Sequence, residues 1–176
     1  VGILITFSPE FAKALNINEY IVPGNAIMAC YLGLVLGDFA SGILSQYLAS
    51  RKKVVVLFLI LTSFFIIVYF NAQQVSSTVF YMICLALGFS VGYWAIFVTI
   101  AAEQFGTNLR ATVATTAPNF VRGALVPISF LFQTAKAHWG ILYGAAAVGL
   151  LCMVIAFLGV LGLKETFGKD LNYVEE

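Results

Sequence analysis

The sequence EQFGTNLRATVATTAPNFVRG at residues 103–123 decides how the rest of the chain can fold. Its first half is charged and rich in turn-forming residues, and it separates two long apolar segments. Its second half places Arg122 inside the apolar segment that follows. A full charge at that depth in a membrane is costly, and such residues normally face a bundle interior or a water-filled path. Residues 103–123 are therefore the first place where we expect function.

The composition is typical of a protein that crosses a membrane several times. Of the 176 residues, 61% are hydrophobic and 10% are charged, and the charged residues fall in short clusters between long apolar runs. The formal net charge is +1, and no basic run is interleaved with aromatic residues, so nucleic acid is not an expected partner. Cys30, Cys84 and Cys152 lie in predicted spans without paired spacing, which indicates free thiols, no metal site and no cofactor.

Six hydrophobic segments follow one another, and they predict an all-α integral membrane protein. A partial span comes first and five complete spans follow, at about 1–8, 23–48, 54–70, 78–102, 111–135 and 142–163, before a polar tail at 164–176. Because Val1 lies inside an apolar run, we expect no signal peptide and a chain that begins partway through a helix. A short, partly amphipathic link joins the first two segments.

Small residues in one of these spans predict close helix packing, and prolines in another predict a kink. In the span at 23–48, Gly33 and Gly37 are four residues apart, which lets two helix backbones approach closely in lipid. In the span at 111–135, Pro118 and Pro127 predict a kinked helix.

Basic residues beside the spans predict the orientation. If the turn at Arg51 is inside, six basic residues lie on the cytoplasmic side and two lie outside. The six are Arg51, Lys52, Lys53, Arg110, Lys164 and Lys169, and the two are Lys13 and Lys136. This excess satisfies the positive-inside rule. We therefore expect a multi-pass protein of a cell membrane, namely a bacterial inner membrane, with a cytoplasmic C-terminus.

One motif in the turn after the third complete span resembles a segment of the major facilitator superfamily of transporters. Glu103-x-Phe105-x-Thr107-x-x-Arg110 is similar to the Glu-x-Phe-Pro-Thr-x-x-Arg segment of sugar porters and related metabolite:proton symporters. Those families carry it between their tenth and eleventh helices, and here Gly106 replaces the usual proline.

Two further motifs extend the resemblance over the whole chain. The tail KETFGKDL at residues 164–171 resembles the Pro-Glu-Thr-Lys-Gly-x-x-Leu sequence after the twelfth helix of the same families, with Lys164 in place of proline and Phe167 in place of lysine. The sequence GILSQYLASRKK at residues 42–53 is similar to the Gly-x-x-x-Asp-Arg-x-Gly-Arg-Arg turn between helices eight and nine. In that turn Gln46 stands where an aspartate is usual.

The resemblance implies that the chain is the C-terminal six-helix bundle of a twelve-helix major facilitator fold. The implied function is secondary active transport by alternating access, with a small polar metabolite such as a sugar or an organic acid as cargo and with proton coupling. The implied partners are membrane lipid, the N-terminal half of the same transporter, the small-molecule substrate and the proton.

Two ionisable residues lie in the middle of the predicted spans. Asp38 and Arg122 are each about ten residues from the cytoplasmic end of their helix, which places both roughly 15 to 18 Å deep. Equal depth permits an ion pair. Asp38 is a candidate proton-coupling carboxylate and Arg122 a candidate ligand for an anionic substrate, while a static pair that orders the bundle explains both equally well.

Polar and aromatic residues of two neighbouring spans are candidates for lining a central cavity. Ser90, Tyr93 and Trp94 recur at helical spacing on the span at 78–102, and Asn119 lies on the next span. Helix packing and interhelical hydrogen bonds are the alternative explanation for the same residues.

Four charged residues are candidates for a cytoplasmic gate: Arg51, Glu103, Arg110 and Glu165. The resemblance implies that they form a charge network that breaks when the transporter opens inward. Exposed pairs of this kind are worth less than about 1 kcal/mol each, so they bias a two-state equilibrium without setting it alone.

Two other function classes fit parts of the sequence. The sequence GFSVG at residues 88–92 matches the Gly-x-Ser-x-Gly pattern of serine hydrolases, but the single histidine, His138, lies in a predicted outer turn while Ser90 is in mid-membrane. An enzyme is therefore not expected. A channel also tolerates a buried Asp and Arg, but the sequence has no filter-like loop.

Overall fold

The computed structural model describes residues 1–168, which form eight helices. They are α1 (Gly2–Thr6), α2 (Ser8–Ala14), α3 (Pro23–Tyr47), α4 (Arg51–Phe70), α5 (Ser77–Ser90), α6 (Trp94–Glu103), α7 (Thr107–Gly123) and α8 (Leu125–Gly162). The prediction of an all-helical fold is confirmed for these residues. Most of the predicted tail, including Lys169, lies outside the described residues.

Within residues 1–168, four helical stretches are long and apolar enough to cross a membrane: Pro23–Tyr47, Arg51–Phe70, Ser77–Glu103 and Thr107–Gly162. These apolar helices indicate a membrane location. The last stretch has 56 residues, and at 1.5 Å per residue it would extend about 84 Å, far more than the roughly 30 Å of a hydrocarbon core. A single straight pass is therefore impossible.

The last stretch reverses its direction at Gly140. The φ of 79° and ψ of 170° at this residue interrupt α8, and only glycine adopts this conformation easily. Beyond the reversal Gly144 packs directly on the backbone of Ala135 and Lys136. Residues 107–139 and 141–162 thus form two antiparallel helical segments, and each corresponds to one of the two spans predicted here. The first of these two segments is interrupted at Ala124, between α7 and α8. Ala124 lies between Pro118 and Pro127, the two prolines that predicted a kink.

The start of the chain differs from the predicted partial span and link. Residues 2–14 form two short helices that meet at Phe7 and pack against α3 and α8. Phe11, Leu15 and Ile21 are almost completely buried. Their side chains contribute to the main hydrophobic core together with residues of α4, α5 and α8, so the predicted link is an integral part of the bundle.

The helices α3 and α5 are in backbone contact, as the small residues of α3 predicted. A Cβ atom at Gly88 would lie 1.9 Å from the carbonyl oxygen of Cys30, and one at Gly33 would lie 2.0 Å from that of Leu85. Distances this short leave no room for any side chain. In lipid, where helices gain nothing from burying apolar surface, such close contact is a main source of association.

The predicted span at 78–102 is broken in the middle. The helix α5 ends at Ser90, α6 begins at Trp94, and residues 91–93 are not helical. Neighbouring helices satisfy backbone groups at the break: the Thr62 hydroxyl donates to the Ser90 carbonyl at 2.9 Å, and the Ala95 N–H donates to Oδ1 of Asp38 at 3.2 Å. These bonds replace helical partners that the break removes.

Candidate functional site

An ion pair joins α4 to α6 at the end of the molecule where α4 begins, which we call the inner end and which is predicted to be cytoplasmic. Nε of Arg51 donates to Oε2 of Glu103 at 3.1 Å, and Nη2 donates to Oε1 at 2.8 Å. The two side chains are only 16% and 12% exposed. The expectation of an exposed pair is therefore wrong, and removing one partner would leave the other charge largely buried without its counter-charge.

Glu165 caps the first turn of α4. Its carboxylate accepts hydrogen bonds from the Ser50 hydroxyl, from the Arg51 N–H at 3.0 Å and from the Lys52 N–H at 3.3 Å. Ser50 is itself the N-cap of α4, since its hydroxyl also accepts from the Lys53 N–H at 3.2 Å. This capping explains why α4 begins at Arg51 and not at residue 54 as predicted.

The capping bonds also fix the charge of Glu165. Desolvation opposes ionisation, but the hydrogen bonds from Ser50 and from the backbone N–H groups of Phe167, Arg51 and Thr166 outweigh it. Together they lower the pKa of Glu165 to about 2. The carboxylate is therefore ionised at neutral pH, where it complements the positive end of the α4 dipole.

The segment after α8 is tied to the same helices by two more contacts. Nζ of Lys52 donates to the carbonyl oxygens of Leu161 and Leu163, at 3.0 and 2.9 Å, and so satisfies the C-terminal end of α8. The Thr166 hydroxyl donates to Oε2 of Glu103 at 2.7 Å. The start of α4 and the end of α8 thus cap each other, and α6 is bound to both. We call this set of contacts the inner-end network.

The structure brings three of the four predicted gate residues into the inner-end network: Arg51, Glu103 and Glu165. The fourth, Arg110, lies in the first turn of α7, where Nη2 donates to the Phe105 carbonyl at 3.3 Å. Whether the network opens during function is not tested by this geometry, and its role as a gate stays a prediction.

Asp38 and Arg122 each have other partners. Asp38 accepts from the Ala95 N–H at the start of α6, and Nη1 of Arg122 donates to Oδ1 of Asn119 at 3.4 Å. Within residues 1–168 the two do not form an ion pair. The pair permitted by their equal depth is not formed, because Asp38 is directed at the broken helix and Arg122 lies on an exposed face of α7.

The three candidates around the helix break do not form one continuous stripe. Ser90 is fully buried and its hydroxyl donates to the Leu87 carbonyl at 2.8 Å, which is a packing arrangement. Tyr93 packs edge-on against Phe58, and Trp94 packs against Phe97. Because α5 ends before Tyr93, the helical spacing assumed for these residues is wrong.

A polar face on α7 was recognised only in part from the sequence. None of the residues of α7 is buried. Beyond its first turn, α7 has five exposed polar residues, each three or four residues from another along one side of the helix: Thr112, Thr115, Thr116, Asn119 and Arg122. The threonines were missed, although their helical spacing relative to Asn119 and Arg122 is a signal that the sequence contains. We call these five residues the α7 polar face.

Comparison with known proteins leaves the function to be argued from the residues themselves. The chain matches no protein family, no curated protein and no solved structure. The likeness of its motifs to those of major facilitator transporters therefore rests on those residues alone.

Proposed function

We propose that this chain is the C-terminal half-bundle of a secondary transporter of the major facilitator type, which moves a small polar metabolite in a proton-coupled manner. The observation that carries the proposal is the α7 polar face. It lies at the start of a stretch apolar enough to cross a membrane, and yet its side chains are exposed. Lipid tails do not solvate a guanidinium or an amide group, so this face needs a water-filled cavity or another protein surface beside it.

The break between α5 and α6 supports the same proposal. Non-helical backbone at membrane depth is tolerated only where it is buried in protein or lines a cavity. Discontinuous helices of this kind form the substrate and ion sites of many secondary transporters. Tyr93 and Trp94 are half-buried at the break, and we propose that they line the cavity together with Asn119 and Arg122.

The inner-end network supports alternating access in a different way. Alternating access is largely a rigid-body rocking of one bundle against the other around a fixed site. The contacts of Arg51, Glu103 and Glu165 bind α4, α6 and the end of α8 to one another, so these helices are able to move as a unit. We propose that the same residues, with Arg110, close the inner end when the site faces outward.

Reconstitution of the full-length protein in liposomes tests the proposal. Uptake of labelled sugars and small carboxylates is measured with and without an inward-directed proton gradient. Accumulation driven by the gradient supports secondary transport. A selective, passive ion conductance instead would identify a channel and contradict the proposal.

A further inference from the structure

Arg122 lies near the middle of the predicted membrane pass that residues 107–139 form. It is about 15 residues from the start of α7 at Thr107 and about 18 residues from the reversal at Gly140. At 1.5 Å per residue these separations correspond to roughly 23 and 27 Å along the helix. A charge placed there is far from both surfaces, so it needs a compensating group at the same depth.

The described part of the chain does not supply a carboxylate for Arg122. Within residues 1–168, ion pairs closer than 4.0 Å join Arg51 to Glu103 and Lys136 to Glu10. Asp38, the acidic residue predicted at a similar depth, is bonded to the start of α6. No described carboxylate therefore lies within 4.0 Å of the Arg122 guanidinium.

The neighbours of Arg122 hold the guanidinium without neutralising it. Oδ1 of Asn119 accepts from Nη1 of Arg122, while Nδ2 of Asn119 donates to the Thr115 carbonyl at 3.1 Å. The amide is thereby oriented with its oxygen toward the arginine. Because a guanidinium has five N–H donors in a planar fork, this single bond leaves donors for a two-pronged contact with an oxyanion.

We infer that Arg122 binds the negatively charged oxygens of the substrate, which is an organic carboxylate or a phosphate and not a neutral sugar. This inference rests on the proposed transport function. A neutral sugar would leave the guanidinium without a counter-charge in mid-membrane, whereas an oxyanion both neutralises it and accepts charge-assisted hydrogen bonds. Asn119 acts as a positioning residue for this contact.

Ligand binding to the purified full-length protein tests the inference. The probes are succinate, inorganic phosphate and glucose, at an ionic strength matched with sodium chloride, and the readouts are the melting temperature and uptake by liposomes. Succinate or phosphate should raise the melting temperature of the wild type and be taken up. The variant Arg122→Gln should weaken the apparent affinity by at least about tenfold, since one charged two-pronged contact is lost.

Two further variants serve as controls. Lys53→Gln removes an exposed positive charge outside the site, and it should bind the anion as the wild type does. Arg122→Lys keeps the charge but loses the planar fork, so it should keep the elution profile of the folded protein and bind the anion with intermediate affinity. This variant carries the test if Arg122→Gln fails to fold.

The other outcomes overturn the inference in distinguishable ways. Glucose uptake that is unchanged in Arg122→Gln contradicts it but leaves the transport function in place. Anion uptake with unchanged affinity in Arg122→Gln also contradicts it, because the guanidinium then makes no contact with the anion. If none of the three solutes is bound or taken up, both the inference and the proposed function are wrong.

Discussion

The positive charges at the inner end and on α7 are placed in opposite ways. At the inner end, Arg51 is paired with Glu103, and the Lys52 ammonium donates to the carbonyl oxygens of Leu161 and Leu163 at the end of α8. On α7, Arg122 bonds the Asn119 amide oxygen and has no carboxylate partner in residues 1–168. A positive charge that is paired with a carboxylate of the same chain holds helices together. A positive charge without such a partner can instead bind another molecule.

The glycines of α5 and α7 also differ in how closely they are packed. A side chain at Gly88 would collide with the backbone of α3, whereas a Cβ atom at Gly123, at the end of α7, would meet nothing within 4 Å. The helices are thus closely packed where α3 contacts α5. The α7 polar face is left uncovered by the described residues.

We expect the largest loss of stability from Gly88→Ala. The added methyl group would lie 1.9 Å from the Cys30 carbonyl oxygen, and two helix backbones cannot shift apart without losing their whole contact. The expected cost is about 3 kcal/mol or more. The matched variant Gly123→Ala should be neutral or stabilise by up to about 1 kcal/mol, since alanine favours the helix. Thermal unfolding in detergent compares them, and equal melting temperatures would refute the close contact of α3 and α5.

The next largest effect is expected from Arg51→Ala. Removing one partner leaves the Glu103 carboxylate largely buried without its counter-charge, which typically costs about 3 kcal/mol. Arg122→Gln, by contrast, removes an exposed charge and should change the free energy of unfolding by less than about 0.5 kcal/mol.

A double variant separates the ion pair from other effects of Arg51→Ala. Combining it with Glu103→Gln removes the unpaired charge, so part of the lost melting temperature should return. Destabilisation by Arg122→Gln as large as that by Arg51→Ala would contradict the distinction between the two regions.

A smaller effect is expected from Glu165→Gln, and it should depend on pH. Because the pKa of Glu165 is lowered from 4.5 to about 2 in the folded protein, its ionised form contributes stability above pH 4.5 that is lost as the pH falls toward 2. Glu165 is exposed, so water screens the contribution to about 1 kcal/mol or less. The melting temperatures of wild type and variant should differ at pH 7 and converge near pH 2. A difference that does not change with pH would contradict the capping role of the charge.

Hydropathy and charge were sufficient to predict the main passes and the inner end. In lipid, the backbone N–H and C=O groups of a run of about 20 apolar residues can form all their hydrogen bonds only if the run is a helix. This requirement predicts the bounds of α3 and α4 to within a few residues. Consecutive passes then bring the start of α4, the end of α6 and the end of α8 to the same side. For this reason Arg51, Glu103 and Glu165 could be assigned to one end before any contact was known.

The break at residues 91–93 and the partner of Asp38 could not be predicted in the same way. A glycine such as Gly92 in an apolar run is compatible both with close helix packing and with a helix end, and window averages do not distinguish the two. Counting residues from the end of a helix predicts the depth of a side chain in the membrane. It does not predict the direction in which the side chain points from the helix. Asp38 and Arg122 were therefore predicted at equal depth, and yet they have different partners.

Asp38 tests whether the depth of a charged residue or its hydrogen-bond partner decides its role, and the conservative change Asp38→Asn should have only a small effect on stability. Asp38→Asn keeps an oxygen that accepts from the Ala95 N–H, so it should lower the free energy of unfolding by less than about 0.5 kcal/mol, whereas Asp38→Ala should cost about 1 kcal/mol as other lost helix caps do. If Asp38 also couples protons, Asp38→Asn should abolish accumulation driven by the proton gradient in liposomes while the melting temperature stays near that of the wild type. Accumulation that survives in this variant would restrict Asp38 to capping α6, because a carboxamide accepts a hydrogen bond but does not carry a proton.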